Sequence, residues 1–201
     1  MCLAHHADDN VETVLMHLLR GSGANGAGGI RPVNGKYVRP MLDCFRKDVI
    51  AYAKKYGVPH VEDHTNRQTK YTRNYVRRKL VPSLRKVNAN AKQNILRFAE
   101  NISADDDYLN SLADISTVVF DGNRAQVPKS LLTQPTPVAY RVLHKVFVQL
   151  GVYYDVEKSH LQSLCNLAFN VGGKSVDLPF GYVATNDYGF VTIEQPHEAS
   201  Q

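Results

Sequence analysis

Val11, Val14, Leu15 and Leu18 recur at i, i+3, i+4 and i+7 within LAHHADDNVETVLMHLLRGSG, a spacing that only a helix gathers onto one face. It predicts an amphipathic helix over residues 9–20 that ends before Gly21. Asp9 followed three residues later by Glu12 matches a capping box with Asp9 as the cap. The short CLA before it reads as the end of a strand, and a glycine-rich loop follows at 21–29. KYVRPML then reads as a strand halted by Pro40, and Val49, Ile50, Ala53 and Tyr56 mark a second helix stopped by Gly57. Strands alternating with helices predict an α/β sheet.

Beyond residue 63 the pattern changes. HTNRQTKY is a polar turn region leading into a short helix over 72–80 that ends before Pro82. Ile95, Phe98, Ala99, Ile102, Leu109 and Leu112 carry one apolar stripe along a helix from about 90 to 114, on which ADDDY reads as a solvated acidic face. VVFDGNRAQV reads as a hairpin around Asp121-Gly122, residues 137–150 and 157–168 as helices, and KSVDLP, GYVAT and GFVTI as three small strands. The expected division is an α/β part over 1–115 and a smaller α+β part over 116–201. No apolar run approaches the roughly 18–20 residues of a membrane span, so no membrane partner and a cytoplasmic location are expected. Cys2, Cys44 and Cys165 are odd in number and far apart, which suits reduced thiols better than a disulfide framework or a zinc site.

Charge is unevenly placed. Residues 64–99 carry ten Lys or Arg and no Asp or Glu, so this window contributes +10 to a total of +5 and the rest of the chain is net −5. A patch of this kind, interleaved with Tyr71, Asn74 and Tyr75, suits either a phosphate backbone or a solvated helix face.

His5, His6, Asp8 and Asp9 have the chemistry of divalent-metal ligands. They equally suit a substrate amine held by Asp9 and Glu12 with histidines near phosphate, or a helix cap and nothing more. AFNVGGKS ends like a phosphate-binding Walker loop, but Ala168 stands where its first glycine is needed and the element order is reversed, so Gly172-Gly173 reads as a turn before a strand. RGSGANGAGG by itself is a weak sign of close backbone approach to a ligand.

AHHADDNVET, RGSGANGAGGI, RPML, Arg46 opening a helix, EDHTN and YTRNYVRRKLVPSL occur in the order and at the spacings of the tRNA(Ile)-lysidine synthetases. The chain closely resembles that family, a branch of the N-type ATP pyrophosphatases, most densely over residues 3–86 and more loosely over 160–193. The resemblance implies an incomplete Rossmann-like ATP pyrophosphatase domain followed by a small α+β tRNA- or substrate-binding domain. It implies that ATP adenylates C2 of the wobble cytidine of an isoleucine tRNA with a CAU anticodon, and that L-lysine displaces AMP to form lysidine. ATP and magnesium are the implied cofactors, and a homodimer is compatible. Asp9 and Glu12 would hold lysine, while His5, His6 and Asp8 would line the nucleotide and magnesium side, with Arg20, Gly21 and Gly23 as the nucleotide loop. Asp63, Asn66, Tyr71, Arg73, Asn74 and Arg77 would serve the tRNA, and Lys92 and Arg97 would be solvated.

The chain departs from the family in having no Ser-Gly-Gly-x-Asp-Ser loop and no far C-terminal domain, and in Asn10 for Gln and Ala27 for Leu. It therefore reads as an internal segment, inactive by itself, whether from a truncated gene model, a split gene or a decayed copy. A non-catalytic tRNA-binding fragment is the main rival, and a metal-dependent hydrolase is the lesser one.

Overall fold

In the computed structural model, which describes residues 1–59, 72–170 and 172–195, the first helix begins two residues earlier than its apolar pattern indicates, as α1 (Ala7–Arg20). Its cap is His6, not Asp9. The Asp9 amide donates to His6 Nδ1 at 3.3 Å, and the His6 amide donates to the Asp9 carboxylate at 3.0 Å. An imidazole nitrogen satisfies an orphan helix N–H as a carboxylate does, and Asp9 three residues on closes the box, so Glu12 takes no part in capping. Gly21 ends the helix at φ +80°, where a side chain would be strained.

The CLA segment contributes one parallel bridge, Cys2 opposite Val38, flanked by Leu3 N–H to the Val38 carbonyl at 2.8 Å and Val38 N–H to the Met1 carbonyl at 2.9 Å. With α1 between its two arms this is a strand–helix–strand crossover, the unit of an α/β sheet. The KYVRPML strand shrinks to β2 (Tyr37–Val38), paired in an antiparallel hairpin with β1 (Val33–Asn34). Its ladder with β1 ends at the next pair in register, where Arg39 N–H donates to the Pro32 carbonyl at 2.9 Å, because Pro32 has no N–H to return the bond and Pro40 has none to continue it. The glycine-rich stretch holds a turn of helix, α2 (Ala24–Ala27). After it, Asn10 accepts the Ile30 amide at 2.7 Å, packed so closely on Gly29 (φ +73°) that a Cβ there would strike the Asn10 side chain. Next comes α3 (Arg46–Lys55), with Gly57 just beyond its end.

Pro82 does not end a helix. The chain runs from α4 (Thr72–Tyr75) through a π-helical turn (Val76–Leu80) into α5 (Val81–Val87), with Val81 N–H reaching back to the Val76 carbonyl. The wider turn just before the proline accommodates its missing N–H, and Pro82 then sits in the first turn of α5, where it is tolerated. Val76 and Val81 pack with Val11 and Leu15 of α1 as the core of this part.

The long helix is α6 (Ala91–Leu112). Its stripe is only partly used, since Ala99 is buried but Phe98 and Leu112 are exposed. The acidic run is not wholly solvated either. Asp106 is buried with Arg31 at 3.8 Å, and Arg31 donates to Asp107 at 2.6 Å, because the segment after α2 lays its guanidinium on this face. Among the described residues no helix is long and apolar enough to cross a membrane.

The chain divides into two compact units, Met1–Asp107 and Tyr108–Gln201, the division falling inside α6. The second unit is an antiparallel five-stranded sheet with helices: β3 (Val119–Asp121), β4 (Arg124–Pro128), α7 (Lys129–Leu132), α8 (Thr136–Gln149), α9 (Lys158–Phe169), β5 (Ser175–Asp177), β6 (Val183–Asn186) and β7 (Phe190–Glu194), in strand order β3-β4-β7-β6-β5. Period-two alternation buries Ala125 and Val127 of β4 against Leu143 and Val146 of α8 and Leu164 of α9 in one cluster. Gly172 and Gly173 form the turn before β5, with Gly173 N–H donating to the Asn186 carbonyl at 3.0 Å.

Candidate active site at the start of the first helix

Three carboxylates stand in the first turns of α1, and three cations meet them. Arg77 Nε donates to Glu12 Oε1 at 2.6 Å, and its Nη2 lies 3.0 Å from Glu12 Oε2 and 3.2 Å from Asp9 Oδ1. Arg73 Nη2 donates to Thr13 Oγ1 at 2.9 Å. Its Nε is 3.4 Å from Glu12 Oε2, a charge contact poorly aligned for a hydrogen bond. The helical run through the π turn thus presents both arginines to α1, and Glu12, with a side chain only 3% exposed, depends on them. A buried carboxylate persists as an anion only when paired in this way.

Asp8 faces the other way. Its carboxylate accepts the Arg46 amide at the start of α3, at 2.8 Å, and Lys92 Nζ of α6. Lys92 is therefore part of the cluster and not solvated. Burial pushes the Asp8 carboxyl up, but the Lys92 ammonium and the Arg46 N–H together outweigh burial and hold it below the usual carboxylate range. The Glu12 hydrogen bond, with the nearby Asp9 and Asp8 charges, outweighs burial at Arg77 and raises its affinity for its proton. The sign for Asp8 follows: a depressed folded pKa contributes stability above about pH 3.9, lost as pH falls through the lower folded value. Asp8→Asn is expected to destabilise the protein at pH 7, and the gap between variant and wild type should narrow below about pH 3.9 in urea melts at stepped pH. A gap constant from pH 7 to pH 2 would show that the Asp8 charge contributes nothing.

His5 Nδ1 accepts Arg39 Nε at 3.3 Å, and Arg39 also donates to the Arg31 carbonyl at 2.8 Å. His5, His6, Asp8, Asp9 and Glu12 thus share one end of α1, joined there by Arg73 and Arg77. Arg20, Gly21 and Gly23 are not brought to them. They lie at the far end of α1, about 20 Å away for a helix of 14 residues, with Gly21 and Gly23 serving as helix caps. Asn74 is half-buried on α4, while Asp63, Asn66 and Tyr71 lie outside the described residues. Among the described residues no three His, Cys, Asp or Glu side chains gather as a metal site. With Asp8, Asp9 and Glu12 already facing cations, this donor set does not fit a protein-held magnesium ion. The participants that local pattern missed are Lys92, Arg39 and Thr13. Thr13 is adjacent to Glu12, but Lys92 is 84 residues from Asp8 and no spacing rule connects them.

Residues 1–84 match the PP-loop domain family. A protein of Thermosipho africanus named tRNA(Ile)-lysidine synthase is 40% identical over 185 residues, covering 89% of this chain and 42% of that protein. One of the same name from Clostridium acetobutylicum is 30% identical over 206 residues, covering 100% and 45%. The chain is similar in sequence to proteins named tRNA(Ile)-lysidine synthase. A third, from Parabacteroides distasonis, is 48% identical over 102 residues, covering 51% of this chain and 23% of that protein. The chain spans less than half the length of each of these synthases. The PP-loop domain match covers the whole carboxylate cluster and both arginines that meet it.

Proposed function

We propose that this chain is the portion of a tRNA(Ile)-lysidine synthetase that binds L-lysine and ligates it, at the expense of ATP, to C2 of the wobble cytidine of isoleucine tRNA with a CAU anticodon. One observation carries the reading: Glu12 and Asp9 converge on a single cationic nitrogen, Arg77 Nη2, at 3.0 and 3.2 Å. Two carboxylates aimed at one N–H donor form a seat for an amine. Lysine would share or displace the arginine there, and the carboxylates would fix the direction of attack and take up the proton that the amine must lose. ATP supplies the adenyl group that activates C2, with AMP leaving as the new carbon–nitrogen bond forms. A PP-loop domain supports ATP as the activating nucleotide. Exposed Arg78, Lys79, Arg85 and Lys86 on the same helical run support a tRNA partner, and a tRNA substrate is what favours a cytoplasmic location in this reading.

The test is equilibrium binding of L-lysine, with ATP-dependent transfer of labelled lysine to the tRNA as the second readout. Asp9→Asn is expected to weaken lysine about tenfold or more, the loss of one charge-assisted hydrogen bond, and norleucine, which lacks the side-chain amine, should not bind. Lysine binding indifferent to Asp9, or equal for norleucine, overturns the amine seat. Strong tRNA binding with no lysine binding at all would favour a tRNA-binding protein over a ligase.

A further inference from the structure

The amine seat is already filled from within the chain. Three of the four carboxylate oxygens of Glu12 and Asp9 accept from Arg77, Glu12 Oε1 from its Nε at 2.6 Å, and Glu12 Oε2 and Asp9 Oδ1 from its Nη2 at 3.0 and 3.2 Å. The fourth, Asp9 Oδ2, accepts the His6 amide at 3.0 Å. The Arg77 side chain is 31% exposed against 3% for Glu12 and 15% for Asp9, so the guanidinium is the member of the group that faces outward. An ammonium arriving beside it would meet a like charge and compete for the same lone pairs. Arg77 also has room to move, because together with Glu12, Ile50 and Val81 it lines a cavity of about 410 Å³. Its backbone belongs to the π turn, an irregularity that helices often carry at functional sites. A second guanidinium stands by. Arg73 Nε is buried 3.4 Å from Glu12 Oε2 and, among the described residues, has no hydrogen-bond partner, which costs free energy as it stands. Its Nη2 is tied to Thr13 Oγ1 at 2.9 Å, one residue along α1 from Glu12, so this unused donor is held beside the carboxylate that Arg77 occupies.

We propose that Arg77 is a built-in occupant of the seat, an autoinhibitory contact that an incoming primary amine displaces into the neighbouring cavity, and that Arg73, positioned by Thr13, takes over Glu12 as Arg77 leaves. The exchange keeps charges matched. With Arg77 seated, two guanidiniums face Glu12 and Asp9; after the exchange, one ammonium and Arg73 face the same two carboxylates. Were Arg77 to stay, the amine would add a third cation to two anions in a site largely closed to water. A buried carboxylate left without a partner is costly, and an N–H donor already 3.4 Å away limits that cost during the exchange. The apparent affinity of the amine is reduced by the fraction of chains in which the seat is closed. That the amine is lysine rests on the functional reading above, whereas displacement of Arg77 does not.

The experiment follows, by NMR of the full chain with isotope-labelled arginine, the Nε–H signals of Arg77 and Arg73, assigned through Arg77→Met and Arg73→Lys. Three probes are added in turn: L-lysine, n-butylamine, which carries the amine alone, and n-butanol, which has a similar shape and no charge. Either amine is expected to expose the Arg77 Nε–H to rapid solvent exchange and to protect that of Arg73, while n-butanol changes neither. The second readout is the thermal midpoint by circular dichroism as a function of amine concentration, which keeps a destabilised variant measurable. In Arg77→Met the seat is open, so an amine should bind about tenfold more tightly than to wild type and raise the midpoint further. Thr13→Val should leave Arg73 unprotected and weaken the amine about threefold or more, with Thr13→Ser, which restores the hydroxyl, close to wild type. Amine binding to Arg77→Met alone, with wild type staying closed, also supports the proposal. An Arg77 signal untouched while lysine binds, or weaker binding to Arg77→Met than to wild type, overturns the proposal and leaves the lysine reading standing. An Arg73 signal unaltered once Arg77 has left overturns the exchange between the two arginines. Displacement of Arg77 by n-butylamine in a chain that neither prefers nor transfers lysine refutes the functional reading and leaves the autoinhibitory contact standing. If neither amine binds wild type or Arg77→Met, both fall.

Discussion

Arg77→Met is expected to destabilise the protein by about 3–5 kcal/mol at pH 7, because the deletion leaves the buried Glu12 carboxylate without its bidentate partner. Arg73, still 3.4 Å away, would keep the loss toward the lower end. The reverse deletion, Glu12→Gln, should be milder, since the group left behind is Arg77, about a third exposed and able to recover water. The double variant distinguishes this account from simple loss of packing. Glu12→Gln/Arg77→Met should recover part of the loss at pH 7, because no buried charge is then left alone. Urea unfolding of all three variants at pH 7 is the measurement. An Arg77→Met loss under about 1 kcal/mol, with no recovery in the double variant, would mean that the pair contributes no more than an ordinary surface ion pair.

Leu143→Ala should have an effect of similar size in the second unit. Leu143 is fully buried on α8, in one cluster with Val127, Leu164 and Ile193, and removing its isobutyl group leaves a cavity among elements held by the sheet. The expected loss is about 2–5 kcal/mol. Val148→Ala on the same helix, where the side chain is half-exposed, should stay within about 0.5 kcal/mol. The chain has no tryptophan, so far-UV circular dichroism in urea is the suitable probe. Similar losses at the two positions would show that α8 does not face the core as described. A transition carrying only part of the amplitude and shifted in Leu143→Ala alone would show that Tyr108–Gln201 unfolds as its own cooperative unit.

Helices with one strong apolar stripe were legible from spacing, as α1, α3, α8 and α9 demonstrate, and so was the β3–β4 hairpin, whose Asp121 pairs with Arg124 across a two-residue turn. Where the expectation slipped, a competing interaction decided. His6 displaced Asp9 as the cap because its ring nitrogen sits where the orphan amide points. Pro82 was absorbed because a π turn precedes it. Asp106 became buried because Arg31 arrived from another segment.

The amino-acid sequence alone determined which chemistry stands at the head of α1: two histidines, two aspartates and Glu12 within eight residues, gathered by helical periodicity and therefore by local geometry. It also determined the acid-free basic window, since charge composition needs no fold to be counted. Which cation meets which carboxylate was decided only by tertiary structure, because Arg77 and Lys92 reach Glu12 and Asp8 across 65 and 84 residues of chain. Such pairings have no period to read. They form because a carboxylate taken out of water must find a positive charge, and packing of the helices determines which one is within reach.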